Sequence, residues 1–131
     1  MKIRRADDVS ALNARCFPGD IVEPADAHWI LWDEDRPVGF VSMARLWTGE
    51  NGAFLSRVGV VPGVRGSRLG RRLIRVGLAW ARREGMAFCV TYCLTSNWPS
   101  IVNLLACGFE FYEPAYAWVG TEKVHYFYRA L

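Results

Sequence analysis

Apolar residues fall along this chain in short runs, and their spacing predicts strands alternating with helices. Residues 87–94 form a near-continuous apolar run of strand length, suited to the middle of a sheet. Residues 54–61 form a second such run. Between them Leu69, Leu73, Val76 and Trp80 recur at helical spacing, so 69–84 reads as the main helix, ended by Gly85. Upstream, 2–5 reads as a short strand. Asp7 or Asp8 then caps a helix running to residue 17, with Val9, Leu12 and Cys16 on its apolar side. Residues 18–26 are loop. Residues 27–32 and 38–47 form a hairpin around Asp33-Glu34-Asp35-Arg36-Pro37, and 48–52 turn the chain into the next strand. A short helix follows Asn97, and strands near 110–119 and 123–131 close the chain.

One junction carries most of the candidate chemistry. The strand 54–61 runs into Pro62-Gly63-Val64-Arg65-Gly66-Ser67-Arg68-Leu69-Gly70-Arg71, then into the main helix. A helix start directs free backbone N–H groups and the positive end of its dipole at one point. Glycines at 66 and 70 let a bulky anion come close to the backbone, which suits a pyrophosphate. Neither a dinucleotide fingerprint nor a Walker loop fits. The glycine spacing is wrong for the first, and no lysine lies between Lys2 and Lys123 for the second.

The remaining pattern, Arg/Gln-x-x-Gly-x-Gly/Ala after an apolar strand, resembles the acetyl-CoA loop of the GNAT superfamily of N-acyltransferases. A second segment, Asn97-Trp98-Pro99-Ser100 through Cys107-Gly108-Phe109, is similar to that family's other signature. There an asparagine closes a strand and a short helix ends in Gly-Phe. The resemblance covers nearly the whole chain. It implies an α/β (α+β) fold in one domain spanning 1–131: a mixed sheet of about six to seven strands, two of them parallel and splayed, with three to four helices. The usual second N-terminal helix is shortened or lost here.

The resemblance also implies transfer of an acetyl group from acetyl-CoA to an amine. The pantetheine arm would lie between strands 54–61 and 87–94. The stretch Val58, Gly59 and Val60 would supply backbone hydrogen bonds, those at Val58 and Val60 reaching the acetyl end. Arg65, Gly66, Ser67, Arg68, Leu69, Gly70 and Arg71 would hold the pyrophosphate, and Asn97 and Ser100 match positions that contact the arm. Arg68 departs from the pattern by standing where the family has its first loop glycine. Leu104 stands where many relatives carry a general-acid tyrosine, and Tyr92 stands where one branch carries a glutamate base. Tyr92 is therefore the candidate acid. Glu23, Asp26 and His28 are candidate bases, on a segment that lines the acceptor cleft in relatives, and His125 is another.

Composition narrows the partners. The chain has 131 residues, 52% of them hydrophobic, enough for one domain with a real core and too apolar for disorder. Its first eight residues turn charged at once, and no run is long enough for a membrane span, so a cytoplasmic protein is expected, without membrane partners. Cys16, Cys89, Cys93 and Cys107 sit in apolar contexts, which favours reduced core thiols over a metal site. The net charge is only +3, yet seven arginines and no acid lie between Arg65 and Arg83. A single cofactor uses those nearest the loop, while Arg75, Arg82 and Arg83 read as a solvated face, so no nucleic acid is expected. The alternatives are a catalytically silent acyl-CoA-binding protein and a small RNA-binding module. A monomer and a homodimer both stay open. So does the acceptor: a small amine, an aminoglycoside-like polyamine, a peptide N-terminus or a lysine.

Overall fold

Contacts made by strand residues on either side show how the sheet is faced. In β3 (Arg36–Arg45), Phe40 meets Phe17 ring to ring at 6.3 Å, whereas a Cβ on Gly77 would strike the Met43 sulfur. Positions 40 and 43 point to opposite faces, so the elements that carry Phe17 and Gly77 cover opposite sides. The computed structural model describes residues 1–64, 68–120 and 123–131. Its elements run β1 (Lys2–Ala6), α1 (Ser10–Cys16), β2 (Ala27–Asp33), β3, β4 (Gly52–Val60), α2 (Leu69–Arg83), β5 (Phe88–Leu94), α3 (Trp98–Ala106), β6 (Glu110–Tyr112) and β7 (Val124–Ala130). They form one seven-stranded sheet in the order β1-β2-β3-β4-β5-β7-β6. Among the described residues only β4 and β5 pair in parallel. Element order and fold class agree with the expectation.

Helix α2 buries Leu69, Leu73, Ile74, Leu78, Trp80 and Ala81 against the sheet. The expected stripe was too narrow: Ile74 and Leu78 are buried as well, and Val76 sits at the stripe's edge. Gly85 ends the helix at φ +76°, with its N–H bonded to the Arg82 carbonyl. Helix α3 opens on Asn97, whose Oδ1 accepts from the Ser100 N–H at 3.4 Å. It closes before Gly108 at φ +87°, where a Cβ would come within 2.6 Å of the Arg129 Nε.

Three local expectations are corrected. Neither Asp7 nor Asp8 is the N-cap of α1; that position is Val9, and Asp8 instead accepts from the Ser10 N–H at 2.9 Å. Strand β3 stops at Arg45 and does not reach Trp47, whose ring turns out against Phe54 and Trp118. The strand expected over 110–119 ends at Tyr112, because Pro114 cannot donate to a ladder and Trp118 folds back onto the sheet face. All four cysteines are buried, and none of them is in a disulfide among the described residues.

Candidate functional site

Strands β4 and β5 pair only at Gly52–Phe88, Ala53–Cys89 and Phe54–Val90. Beyond that point they part, and Thr91 Oγ1 donates to the Leu55 carbonyl at 2.8 Å where the ladder stops. Ser56 is an extra residue in β4: Ser42 pairs with Arg57 and Met43 with Leu55. Such a bulge bends the strand and re-aims the residues beyond it. After it, Val61 donates to Val38, so Val61–Val38 is a hydrogen-bonded pair. Ladder alternation then makes Val60–Gly39 and Val58–Val41 non-bonded pairs. The N–H and C=O groups of Val58 and Val60 thus point away from β3, toward the gap. Gly59 faces α1, and a Cβ there would lie 2.8 Å from the Phe17 ring.

At the end of β4 the chain turns into α2. Arg65, Gly66 and Ser67 lie outside the described residues. Arg68 is the N-cap of α2, in the left-handed region at φ 58°. A glycine takes that backbone without cost, so the position keeps a glycine's conformation while carrying a cation. The Leu69 side chain is in the core, which leaves its backbone as the part available to a ligand. A Cβ on Gly70 would sit 3.0 Å from the Asn103 amide nitrogen, so the space at Gly70 admits α3. Arg71 donates from Nε to Asn103 Oδ1 at 3.0 Å. Farther along α2, Arg72, Arg75, Arg82 and Arg83 are exposed, as a solvated face requires.

On the α1 side of the gap lies a cavity of about 20 Å³, lined by Asn13, Val22, Glu23, Phe40, Ser42, Ser56, Arg57 and Tyr92. That is room for about one water among several polar groups. The structure therefore brings Glu23 and Tyr92, two residues singled out from sequence, to one cavity. Glu23 arrives on the irregular segment between α1 and β2, which the buried Asn13 holds by donating to the Asp20 carbonyl at 2.9 Å. Burial, then the Glu23 charge, pushes the Tyr92 phenol above its usual value. Tyr92 therefore keeps its proton at neutral pH.

His28 does not line the cavity. Its Nδ1 lies 2.6 Å from Ser42 Oγ, and Ser42 does line it. His28, Ser42 and Arg57 form one row across β2, β3 and β4. Burial depresses the His28 pKa, with Asp8 opposing and Arg5 adding to the effect. His28 thus stays neutral at pH 7, and in the Nε2–H tautomer its Nδ1 accepts from Ser42. Asp26 caps the turn into β2 by accepting from the Arg45 N–H at 2.6 Å, and His125 packs on Phe111 across the sheet. Neither lines the cavity. Leu104 is buried in the core.

Sequence reasoning passed over Asn13, Ser42, Ser56 and Arg57. Arg57 donates to Asn13 Oδ1 at 3.1 Å, pairs with Asp20 at 3.4 Å, and lies 4.5 Å over the Phe17 ring. A signal was present. Apolar positions in β4 switch from 53 and 55 to 58 and 60, a change of parity that a bulge produces.

Solved structures share this fold. An IAA acetyltransferase from Bacillus cereus is 12% identical over 99% of each chain, at a TM-score of 0.79. The ribosomal-protein-S18-alanine N-acetyltransferase of Escherichia coli is 14% identical over 98% of this chain and 92% of its own, at 0.79. A Bacillus subtilis acetyltransferase in complex with CoA is 12% identical over 99% and 98%, also at 0.79. No curated protein matches the sequence. Among the described residues no helix is long and apolar enough to cross a membrane. With the parted parallel strands, the bulge and the glycine-conformation helix cap in view, the family model of the acetyltransferase (GNAT) family matches residues 4–109, and the chain belongs to that family.

Proposed function

We propose that the chain transfers an acetyl group from acetyl-CoA directly to a primary amine, with Glu23 as base and Tyr92 as acid. The observation that carries this reading is that both side chains line one cavity beside the β4 bulge. The residues present fit the cofactor. The gap between β4 and β5 is flanked by outward-turned backbone at Val58 and Val60, and the α2 N-terminus stands at the end of β4. Arg65, Gly66, Ser67, Arg68, the backbone of Leu69 and Gly70, and the terminal nitrogens of Arg71 would hold the pyrophosphate. Asn97 and Ser100 would border the arm, although the Asn97 amide also caps α3. The Bacillus subtilis protein of the same fold, solved with CoA, supports this assignment.

When bound, acetyl-CoA supplies an activated thioester. Glu23 takes one proton from the attacking ammonium, directly or through one water in the cavity, and the second surplus proton on nitrogen passes to solvent once the C–N bond has formed. A backbone N–H of Val58 or Val60 stabilises the oxygen that gains charge as the C–N bond forms. Tyr92 gives its proton to the sulfur as the C–S bond breaks. The base then holds one proton more and the acid one fewer. Because the two share a cavity, Glu23 can return its proton to Tyr92 and close the cycle. Ser42 and His28 extend hydrogen bonding from the cavity toward the outer strands, giving the proton a second route.

Calorimetry with acetyl-CoA, coupled to a thiol-release assay over an amine panel, tests the reading. Absence of heat at millimolar ligand overturns cofactor binding. Heat without thiol release from any amine supports the second reading, a silent acyl-CoA-binding protein, which the buried Leu104 at the usual acid position favours.

A further inference from the structure

Helix α1 has seven residues and packs chiefly on β3 and β4. Over β5, β7 and β6 the same sheet face is covered by rings. Tyr92 stacks on Phe54 at 6.2 Å and meets Trp118 at 5.5 Å, and Trp118 meets Tyr126 at 4.9 Å. Trp47 closes the group at 5.6 Å from Trp118 and is 60% exposed. None of these five residues belongs to the main buried core. Tyr126 is the direct cross-strand partner of both Tyr92 and Tyr112, so the three share one face. Tyr112 and Tyr126 also line an open concavity of about 720 Å³ at this end of the sheet, bordered by Glu113 and Pro114 and shared with Phe111 and His125 from the opposite face. That volume lies in the range of small-molecule sites.

We propose that this ring-lined face is the acceptor subsite, and that it takes a primary amine carrying an aromatic ring a few carbons from its nitrogen. The inference rests on the transferase reading, since Tyr92 belongs to both the ring wall and the transfer cavity. Charge favours such an occupant. An ammonium is attracted by ring faces and by the carboxylates of Glu23 and Glu113, while the Arg57 cation is already paired with Asp20. Shape favours it too. The wall presents both faces and edges of rings, which a flat aromatic group meets in stacked or edge contacts and a flexible alkyl chain does not. A polyamine needs several separated carboxylates, and this wall offers mostly rings.

The test uses the whole protein and two amines, 2-phenylethylamine and n-butylamine, with spermidine and a short alanine-headed peptide alongside, and every kcat/KM is referred to the free-amine concentration because the phenyl group makes its ammonium the more acidic. Thiol release should show kcat/KM at least tenfold higher for 2-phenylethylamine than for any of the others. In Trp118→Ala that ratio should fall toward one while calorimetric affinity for acetyl-CoA is kept. Equal kcat/KM across the amines in the unaltered protein overturns the proposal, as does preference for spermidine or the peptide. So does a ratio that survives Trp118→Ala. Calorimetry of the amines on the CoA-saturated protein separates the two readings. If 2-phenylethylamine binds and n-butylamine does not, yet no thiol appears, the subsite stands and the transferase reading fails. If neither amine binds, the subsite fails.

Discussion

Arg71 and Asn103 are joined by a 3.0 Å hydrogen bond that ties the first turn of α2 to α3. Gly70 stands beside that bond, leaving space that the Asn103 amide occupies. The bond orients a guanidinium next to the helix N-terminus at the end of β4. Asn103→Ala should cost about 1 kcal/mol of stability, the net worth of one such bond, in a denaturant titration. It should also weaken acetyl-CoA binding several-fold by releasing Arg71. Gly70→Leu should do more, since its side chain must displace Asn103, and binding should fall at least tenfold by calorimetry. Unchanged affinity in both variants would remove the Arg71 region from the cofactor site.

Arg68 pairs a cation with a glycine's backbone at φ 58°. Arg68→Gly should relieve strain of about 1 kcal/mol and raise the denaturation midpoint. The same change removes a charge from the anion site, which should weaken acetyl-CoA binding by about 1 kcal/mol, roughly fivefold. Stability and affinity therefore move in opposite directions. Tighter binding would show that the side chain points away from the cofactor.

The parts legible in the sequence are those written in local chemistry. Asn97 and Gly108 bracket α3, and Gly85 stops α2, because caps need particular residues at particular positions. Glu23 and Tyr92 were nameable through family position, but their sharing of a cavity depends on long-range placement. Nothing near Glu23 announces that Asn13 will anchor its segment. Arg57 looked like a strand residue, and its partners Asn13 and Asp20 lie about forty positions away. The β6 expectation failed because alternating aromatics at 116 and 118 mimic a strand. Tertiary ring contacts use Trp118 in another way.

His28 makes stability depend on pH. Burial holds its folded pKa below the unfolded value near 6.5. Between those two values the unfolded chain binds more protons, so stability rises with pH there. The contribution is whole above about pH 6.5 and is lost as pH falls through the depressed folded value. His28→Asn should flatten the denaturation midpoint over that acid window. An equally steep profile in the variant would assign the dependence to other groups.

Core thiols should be silent in the native protein. Burial raises the Cys89 pKa to about 12 and that of Cys93 to about 11, and raises Cys107 in the same direction. Thiolate is the reactive form, so a disulfide-exchange reagent at pH 7–8 should label none of these three until denaturant is added. Fast labelling of any one in the folded protein would contradict its burial.

Catalysis should depend on the Glu23–Tyr92 pair more than on either residue's intrinsic strength. The departing sulfur of coenzyme A belongs to a thiol, whose ordinary pKa is near 8.5, so it needs only modest help from an acid. Tyr92→Phe should lower kcat by roughly ten- to a hundredfold, the low end for general acid catalysis, without changing acetyl-CoA affinity. Because the Tyr92 pKa is raised, the unaltered enzyme should keep its acid through pH 9 and lose rate only above the usual tyrosine value near 10. Glu23→Gln should lower kcat at neutral pH and recover activity as pH rises and the free amine becomes abundant. The double variant is the decisive measurement. If Glu23 returns its proton to Tyr92 through their common cavity, the two losses should be strongly non-additive, the pair falling little below the worse single variant. Losses that multiply would mean that the two residues act on separate proton paths.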